Sequence, residues 1–230
     1  MNNIAIIPAR SGSKGLPNKN ITDFMGKPLL AHSIKQALDS KKFDTVMVST
    51  DSEEYATIAR IYGAEVPFLR SQENSSDKAS SWNVIKEVLA FYENKKKFDS
   101  FCLLQPTSPL RRAEDIVNAY DLFYKKEAVS VLSVCELEHP IKWCNVLPPD
   151  LSLKDFISDR DRKCRRQDYK TYYRVNGAIY IANILEFISN ENLYREGCYA
   201  YVMPLYRSVD IDSVFDLKFA EFLYKQDIQE

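Results

Sequence analysis

The chain has 230 residues and is nearly neutral, since 31 lysines and arginines stand against 32 aspartates and glutamates. That length suits one sizeable α/β domain, and the charge balance argues against a nucleic-acid or anionic-membrane surface. Five cysteines without a CxxC pair predict no disulfide framework and no zinc site. The lack of a leader, and of any run of about eighteen consecutive apolar residues, predicts a cytoplasmic chain without a membrane span.

The first predicted strand, residues 4–7, leads directly into a basic loop. Residues 9–27 contain one anion, Asp23, and four cations, Arg10, Lys14, Lys19 and Lys27. Gly12 and Gly15 can adopt positive φ, which lets main-chain N–H groups converge on an oxygen atom without a Cβ in the way. The loop has neither the GxxxxGK[ST] nor the GxGxxG spacing. We interpret it as a polyphosphate-binding loop, and a solvated basic turn after an edge strand is the alternative.

Apolar periodicity and capping residues predict alternating strands and helices along the rest of the chain. Helices are predicted at residues 29–40, 55–62, 85–92, 116–123 and 215–224. Strands are predicted at residues 45–49, 65–68, 100–104, 128–134, 175–181 and 199–203. This order predicts a Rossmann-like, doubly wound sheet of about seven strands, mostly parallel, with helices on both faces.

The alternation breaks between about residues 136 and 173, where prolines and dense charge replace periodic apolar positions. We interpret this segment as an insertion within a single domain that spans residues 1–230. A mobile surface excursion is one interpretation of it. Its aromatic side chains are costly to leave in water and favour a contact surface instead. They are Trp143, Phe156, Tyr169, Tyr172 and Tyr173.

Polar residues follow two of the predicted strands at the edge where a pocket is expected. Gln105 begins a proline-stiffened loop and is expected at the pocket floor, although a plain strand-to-helix connection is the alternative. Arg70 follows the short strand at 65–68, and Ser80 and Ser81 begin a helix whose positive end suits a phosphate or base. Such residues are also common as surface groups and caps.

Asp210 and Asp212 form the most informative acidic pair. On an extended segment, alternate residues lie about 6.6 Å apart on one face, so both carboxylates reach one cation and Ile211 points into the core. Magnesium accepts one or two carboxylates together with phosphate oxygens, which suits this pair. The alternative is that Ser213 and Asp216 form a capping box and that Asp212 serves the start of the last helix.

Several segments, taken in chain order, resemble one enzyme family. They are IIPARSGSKGLPNKN with the following GKPLL, STDS at 49–52, LLQPTSPLR at 103–111, NGAIY at 176–180 and DID at 210–212. This pattern resembles the cytidylyltransferases that activate nonulosonic acids, namely the CMP-sialic acid synthetases and their legionaminic acid relatives. The resemblance implies CTP and a nonulosonic acid as substrates, Mg²⁺ as cofactor with Mn²⁺ as a substitute, and a homodimer whose inserted lobe helps to close the partner's active site.

Matching positions carry the family's roles over to this chain. The catalytic group is Arg10, Lys14, Lys19, Asp210 and Asp212, of which Asp210 and Asp212 hold the metal. The nucleotide-binding group is Ala9, Arg10, Ser11, Gly12, Ser13, Lys14, Asn20, Arg70, Ser80 and Ser81. The sugar-binding group is Gln105, Lys142, Arg166, Gln167, Asn176, Gly177 and Tyr180. Arg111 is expected to be structural, Arg165 competes with Arg166 for the sugar carboxylate, and Lys78 departs from the family's usual Thr.

The resulting hypothesis is a Mg²⁺-dependent transfer of CMP from CTP to the anomeric hydroxyl of a sialic-type nonulosonic acid, with release of pyrophosphate. A legionaminic or pseudaminic acid synthetase, or another sugar nucleotidylyltransferase, is the alternative within this class. A non-catalytic sugar-nucleotide sensor is the alternative from another class. His32 and His139 are the two histidines, and both are expected to be structural because no histidine-based triad is needed.

Overall fold

A computed structural model describes residues 1–13, 15–76 and 79–226. Numbered in chain order, its main strands are β1 (Asn3–Pro8), β4 (Thr45–Ser49), β5 (Ser100–Leu103), β6 (Ser130–Glu136), β7 (Tyr173–Asn183) and β8 (Cys198–Val202). They form one sheet in the order β4-β1-β5-β7-β6-β8. Two short strands, β2 (Asp23–Phe24) and β3 (Lys27–Pro28), pair as a separate hairpin.

The sheet is mostly parallel, as predicted. Strand β1 runs parallel to β4 and β5, and β6 runs parallel to β8. Strand β7 is antiparallel to both of its neighbours, β5 and β6. About seven strands were predicted for this sheet, and it has six. The expected strand at 65–68 is reduced to a single bridge between Met47 and Glu65. Pro67 follows this bridge after one residue and has no N–H group with which to continue the ladder.

Six helices accompany the sheet: α1 (Leu29–Ser40), α2 (Glu53–Ile61), α3 (Ser81–Tyr92), α4 (Ala113–Lys125), α5 (Ile184–Ser189) and α6 (Val214–Gln226), counted over the described ranges. Side chains alternate across β1, so Ala5 and Ile7 pack with α1, α2 and α4, whereas Ile4 and Ile6 pack with α3 and α5. Helices therefore cover both faces, which confirms the doubly wound fold. The short helix α5 was not predicted, because it is only six residues long and its apolar residues continue those of β7.

A third, smaller cluster fixes the segment that leads into α6. Ile211 is fully buried there with Phe24, Leu110 and Leu217. This packing places residues 210–212 between the hairpin and the loop that follows β5. The acidic pair is thus brought next to the amino-terminal loop.

The insertion leaves the sheet as an extension of β6 and β7, where Cys135 pairs with Arg174 and Glu136 with Tyr173. Between these strands lie only turns and short 3₁₀ segments, at Ile141–Trp143, Asp161–Lys163 and Arg166–Asp168. Large apolar side chains remain exposed on it, among them Val146, Leu151 and Leu153. Its role as a dimerisation lobe stays a prediction. In the part of the chain that the structure covers, no helix combines the length and the apolar character needed to cross a bilayer.

Candidate active site

Eight of the predicted site residues line a cleft at the carboxyl ends of β1, β4 and β5, where open α/β sheets bind ligands. Its volume is about 440 Å³, and it is lined by residues of the amino-terminal loop, the loop after β5, the start of α3 and the segment before α6. The predicted residues in this lining are Arg10, Ser13, Lys19, Asn20, Arg70, Ser81, Gln105 and Asp212. A larger cavity of about 530 Å³ lies between α1, α4 and α6 but holds none of them, so we assign the function to the cleft.

Bonds from neighbouring segments hold the amino-terminal loop. The Ala9 amide donates to the Ser49 carbonyl at 2.9 Å. Both the amide and the hydroxyl of Ser11 donate to Asp51, at 2.8 and 2.9 Å. The side chain of Asn20 donates to the Arg10 carbonyl at 3.0 Å. The loop is therefore attached to the end of β4 on one side and to its own returning chain on the other.

Among the described residues, left-handed φ is found at Gly26, Gly63, Gly177 and Gly197, so Gly12 does not use the positive φ available to it. Gly15 is needed because another segment approaches it closely. A Cβ at this position would lie 2.7 Å from the carbonyl oxygen of Asp212, well inside van der Waals contact. At Gly12 the nearest atom would be Arg10 Nη1 at 3.9 Å, so that position has room for a side chain.

One ion pair joins the basic loop to the acidic pair across the cleft. Lys19 Nζ lies 2.7 Å from Asp212 Oδ1, with the lysine largely buried and the aspartate 74% exposed. Lys14, which was predicted to act beside them, lies outside the described residues. The two segments that sequence analysis singled out thus meet at one edge of the cleft.

The acidic pair itself is arranged by the loop after β5. Residues 210–212 form no regular strand, but Ile211 donates its amide to the Thr107 carbonyl at 2.9 Å and buries its side chain as predicted. Burial raises the pKa of Asp210, and the negative charge of Asp212 raises it further. The buried Oδ1 of Asp210 has no hydrogen-bond partner. A hard cation would satisfy this oxygen and offset the repulsion between the carboxylates.

The capping box at the start of α6 leaves the carboxylate of Asp212 available. The Ser213 hydroxyl accepts the Asp216 amide at 3.3 Å, and Asp216 accepts the Ser213 amide at 2.8 Å. Asp216 also accepts the main-chain amide of Asp212, at 3.1 Å. The helix start is therefore served by Ser213 and Asp216, not by the side chain of Asp212. Across residues 1–13, 15–76 and 79–226, no cluster of three or more His, Cys, Asp or Glu side chains forms a metal cage of protein ligands alone.

Arg70 contributes a buried cation to the cleft wall. Its Nε donates to the Ser49 hydroxyl at 3.0 Å and its Nη2 to the Ser49 carbonyl at 2.6 Å. Burial lowers its pKa to about 10, so the side chain stays charged at neutral pH. Ser80 is the N-cap of α3, as expected, and accepts the Trp82 amide at 3.0 Å, whereas Ser81 begins the helix and lines the cleft.

Gln105 lies at the floor of the cleft, next to the start of β7. Gly177 adopts φ +80°, which favours glycine, and a Cβ there would be in ordinary van der Waals contact with Gln105 Oε1, at 3.6 Å. The loop that Gln105 begins is held by Arg111, which is almost fully buried. Arg111 donates to the Ala178 carbonyl at 2.6 Å and to the Ser33 hydroxyl at 2.6 Å. Its expected structural role is confirmed by this network.

Other members of the predicted sugar-binding group are not brought to the cleft within this chain. Lys142, Arg166 and Gln167 are absent from its lining. Arg166 and Gln167 line a separate groove of about 350 Å³ at the base of the insertion. Arg165 is paired with Asp168, at 3.2 Å between Nη2 and Oδ1. Of the two competing arginines, Arg166 is therefore the one that faces the groove.

Asn176 and Tyr180 occupy largely buried positions on β7. The Asn176 side chain is 2% exposed, donates to the Ser208 hydroxyl at 2.8 Å and accepts the Ser133 hydroxyl at 2.6 Å. These bonds occupy the amide internally, so in this arrangement Asn176 fixes the end of β7 and does not face the cleft. Tyr180 packs edge-on against Trp82, and burial raises its pKa to about 12. Direct sugar contacts by either residue stay predictions.

Sequence analysis missed the role of Asp51. Asp51 and Ser52 are adjacent candidates for the N-cap of α2, and the structure gives that role to Ser52, which accepts the Tyr55 amide at 3.4 Å. Asp51 turns instead to Ser11. The sequence signals were its position directly after the β4 strand and its place in the STDS segment at 49–52.

Comparisons with known proteins show the family to which the chain belongs. A family model described as Cytidylyltransferase matches residues 4–221. A pseudaminic acid cytidylyltransferase of Campylobacter jejuni is 35% identical, with 98% of this chain and 97% of that protein aligned. A CMP-N,N'-diacetyllegionaminic acid synthase of Legionella pneumophila is 37% identical, with 96% and 95% aligned. An N-acylneuraminate cytidylyltransferase of Escherichia coli is 41% identical over 94% of this chain, which spans 51% of that protein's length.

The fold comparison reaches more distant proteins. A solved CMP:2-keto-3-deoxy-manno-octonic acid synthetase in complex with CTP superposes with a TM-score of 0.73 at 17% identity. It covers 99% of this chain and 100% of that one. At that identity the likeness concerns the fold alone.

Proposed function

Because this chain belongs to the cytidylyltransferase family, we propose that it transfers CMP from CTP to the anomeric hydroxyl of a nonulosonic acid and releases pyrophosphate. The observation that carries the proposal is the contact between Lys19 and Asp212, 2.7 Å apart, because it joins the basic loop and the acidic pair in one cleft. A triphosphate and its metal need both kinds of charge at the same place.

The nucleotide is assigned to the amino-terminal half of the cleft. Arg10, Lys14 and Lys19 would bear the charge that develops on the departing pyrophosphate, together with the main chain of residues 9–13. Arg70, Asn20 and Ser81 would line the ribose and base region. The sugar's anomeric hydroxyl would attack the α-phosphorus and release its proton to solvent. The bond from that phosphorus to the oxygen shared with the β-phosphate would break, and pyrophosphate would leave with that oxygen. Catalysis then consists mainly of positioning and charge stabilisation.

The carboxylates fit a divalent cation, for which we propose Mg²⁺ with Mn²⁺ as a substitute. Asp210 and Asp212 would hold it, since Asp210 offers a buried oxygen without a partner and both are hard oxygen donors. When bound, such an ion supplies charge neutralisation at the phosphates. Lys19 lies beside Asp212 and would keep that carboxylate oriented towards the cleft.

We further propose that the site is completed by a second copy of the chain. Lys142, Arg166 and Gln167 lie on the insertion, away from the cleft of their own chain, while Gln105 lies within it. Exposed apolar side chains on the insertion support a contact surface there. In a homodimer, Arg166 of one copy would pair with the sugar carboxylate in the cleft of the other. A cytoplasmic location stays a prediction.

Intersubunit complementation tests this arrangement. Arg10→Ala disables the cleft and Arg166→Ala disables the insertion, so each variant alone is expected to be inactive. Mixing equal amounts and allowing subunit exchange should restore about a quarter of wild-type activity, because half of the dimers are mixed and each has one intact site. Light scattering should give the mass of a dimer. A monomer, or no recovery from a mixture shown to exchange, would contradict the shared site.

A pyrophosphate-release assay tests the activity itself. CTP, ATP, GTP and UTP should be tried with sialic, legionaminic and pseudaminic acids, with Mg²⁺ present. We expect turnover with CTP and at least one of these acids. Turnover with another nucleotide or only with other sugars would indicate the alternative nucleotidylyltransferase, and tight binding of a CMP-sugar without any pyrophosphate release would indicate the sensor.

A further inference from the structure

The first part of the basic loop, residues 9–15, has little main-chain hydrogen bonding of its own. Among its described residues, 9–13 and 15, one main-chain bond is internal, from the Ser13 amide to the Ser11 carbonyl at 3.0 Å. A loop that must present main-chain N–H groups and Arg10 to a triphosphate needs a fixed shape before the ligand arrives. The bonds that fix it must therefore come from other parts of the chain.

Asp51 makes the most specific of these bonds. One of its carboxylate oxygens accepts the Ser11 amide at 2.8 Å, and the other accepts the Ser11 hydroxyl at 2.9 Å. Two donors of one residue are thus held by both oxygens of one carboxylate, which fixes the orientation as well as the position of Ser11. Bonds to an ionised acceptor are shorter and stronger than neutral ones.

The charge of Asp51 makes its position unusual. A carboxylate beside a triphosphate site opposes binding of the anion, and Asp51 is near enough to Arg70 for its charge to raise the pKa of that guanidinium. A merely structural bond to Ser11 could be made by a neutral side chain. The half-buried carboxylate of Asp51 is therefore best explained by its part in holding the loop.

We propose that Asp51 is a positioning residue that fixes the phosphate-binding loop through Ser11 and thereby sets the direction of Arg10. This inference rests on the proposed function, since the loop's ligand is taken to be the triphosphate of CTP. Asp51 itself contacts neither substrate. Its effect is expected on the nucleotide and not on the sugar acid.

The chain contains a matched control. Asp44 accepts the Asn3 amide at 2.8 Å, so it bonds the same pair of strands, β1 and β4, at their opposite ends. Asp44→Asn and Asp51→Asn are therefore equivalent changes of a carboxylate that accepts a main-chain amide. Only the second lies next to the cleft.

The experiment combines hydrogen exchange with kinetics of the full-length protein. Asp51→Asn should speed exchange of the Ser11 amide at least about 10-fold and lower kcat/KM for CTP by about 30-fold, with the KM for the sugar acid unchanged. Asp44→Asn should change kcat/KM for CTP by less than about 2-fold at a similar loss of melting temperature. If Asp51→Asn does not fold, Ser11→Ala removes one of the two bonds and should raise the KM for CTP about 3-fold.

The outcomes separate this proposal from the proposed function. A wild-type protein that turns over CTP while Asp51→Asn keeps wild-type kcat/KM overturns the positioning role alone. Unchanged exchange at Ser11 overturns it whether or not the protein is active. A wild-type protein that ignores CTP overturns the function, and faster exchange in Asp51→Asn would then still support Asp51 as the residue that holds the loop.

Discussion

Replacing Gly15 by alanine should disable the site without unfolding the protein. A Cβ at Gly15 would lie 2.7 Å from the Asp212 carbonyl oxygen, whereas ordinary van der Waals contact begins at 3.4 Å. The loop and the acidic segment must therefore separate by about 0.7 Å, the difference between these distances. Misplacement of catalytic groups on the scale of 1 Å costs up to about 100-fold in rate. We expect kcat/KM for CTP to fall about 10- to 100-fold, or about 1.4 to 2.7 kcal/mol of transition-state stabilisation.

Gly12→Ala is the matched control for this prediction. Gly12 lies in the same loop, has no left-handed φ, and its added Cβ would meet nothing closer than 3.9 Å. Its kcat/KM for CTP should fall by less than that of Gly15→Ala, because the added Cβ displaces no other segment. Both variants should unfold at nearly the wild-type denaturant concentration because both glycines are exposed. Steady-state pyrophosphate release and urea titration provide the two measurements. Equal kcat/KM values for the two variants would refute the reasoning from the Asp212 contact.

Three further changes test other parts of the structure. Lys19→Met should lower kcat by roughly two to three orders of magnitude in the pyrophosphate-release assay. It should alter the free energy of unfolding by less than about 1 kcal/mol, because its partner Asp212 is 74% exposed. A normal kcat would contradict the catalytic role of Lys19. Arg111→Met should lower the free energy of unfolding by about 3 kcal/mol in urea, because it leaves the Ala178 carbonyl and other buried acceptors unpaired, and a change below about 1 kcal/mol would contradict this. Burial lowers the pKa of His32 below 6.5, so the unfolded chain binds that proton more tightly than the folded chain does. The free energy of unfolding should therefore fall as the pH drops below 6.5, by at most about 1.4 kcal/mol per pH unit. His32→Gln should lose this part of the pH dependence, which urea midpoints measured between pH 5 and 8 would show.

The features predictable from sequence were those set by neighbouring residues. A short apolar run predicted β1, and the alternation of positions 210–212 predicted the buried Ile211. A Ser with an Asp three residues later predicted the cap of α6. The mostly parallel sheet followed from the order of strands and helices. Each of these depends on a short window of chain, where periodicity and capping chemistry act directly.

The features that sequence missed depend on contacts between distant segments. The need for glycine at position 15 comes from the carbonyl of Asp212, not from the local backbone angle. The use of Asp51 by Ser11, and of Ser52 by α2, is decided by where the loop after β1 passes the end of β4. No single window of sequence contains both partners of these contacts.

The cleft gathers like charges, and the neighbouring carboxylates make this arrangement compatible with a folded, ligand-free protein. Arg10 lowers the pKa of the buried Arg70, as expected for two cations placed close together, while Asp51 raises it. On the other side of the cleft, Asp212 pairs with Lys19. Each group of cations thus has an anion near it before any phosphate binds. Each of these anions also has a second role: Asp51 holds the loop in the proposed arrangement, and Asp212 belongs to the proposed metal site. Removing either carboxylate would therefore alter the geometry and the charge balance together, which is why neutral, isosteric substitutions and matched controls are needed to separate the two effects.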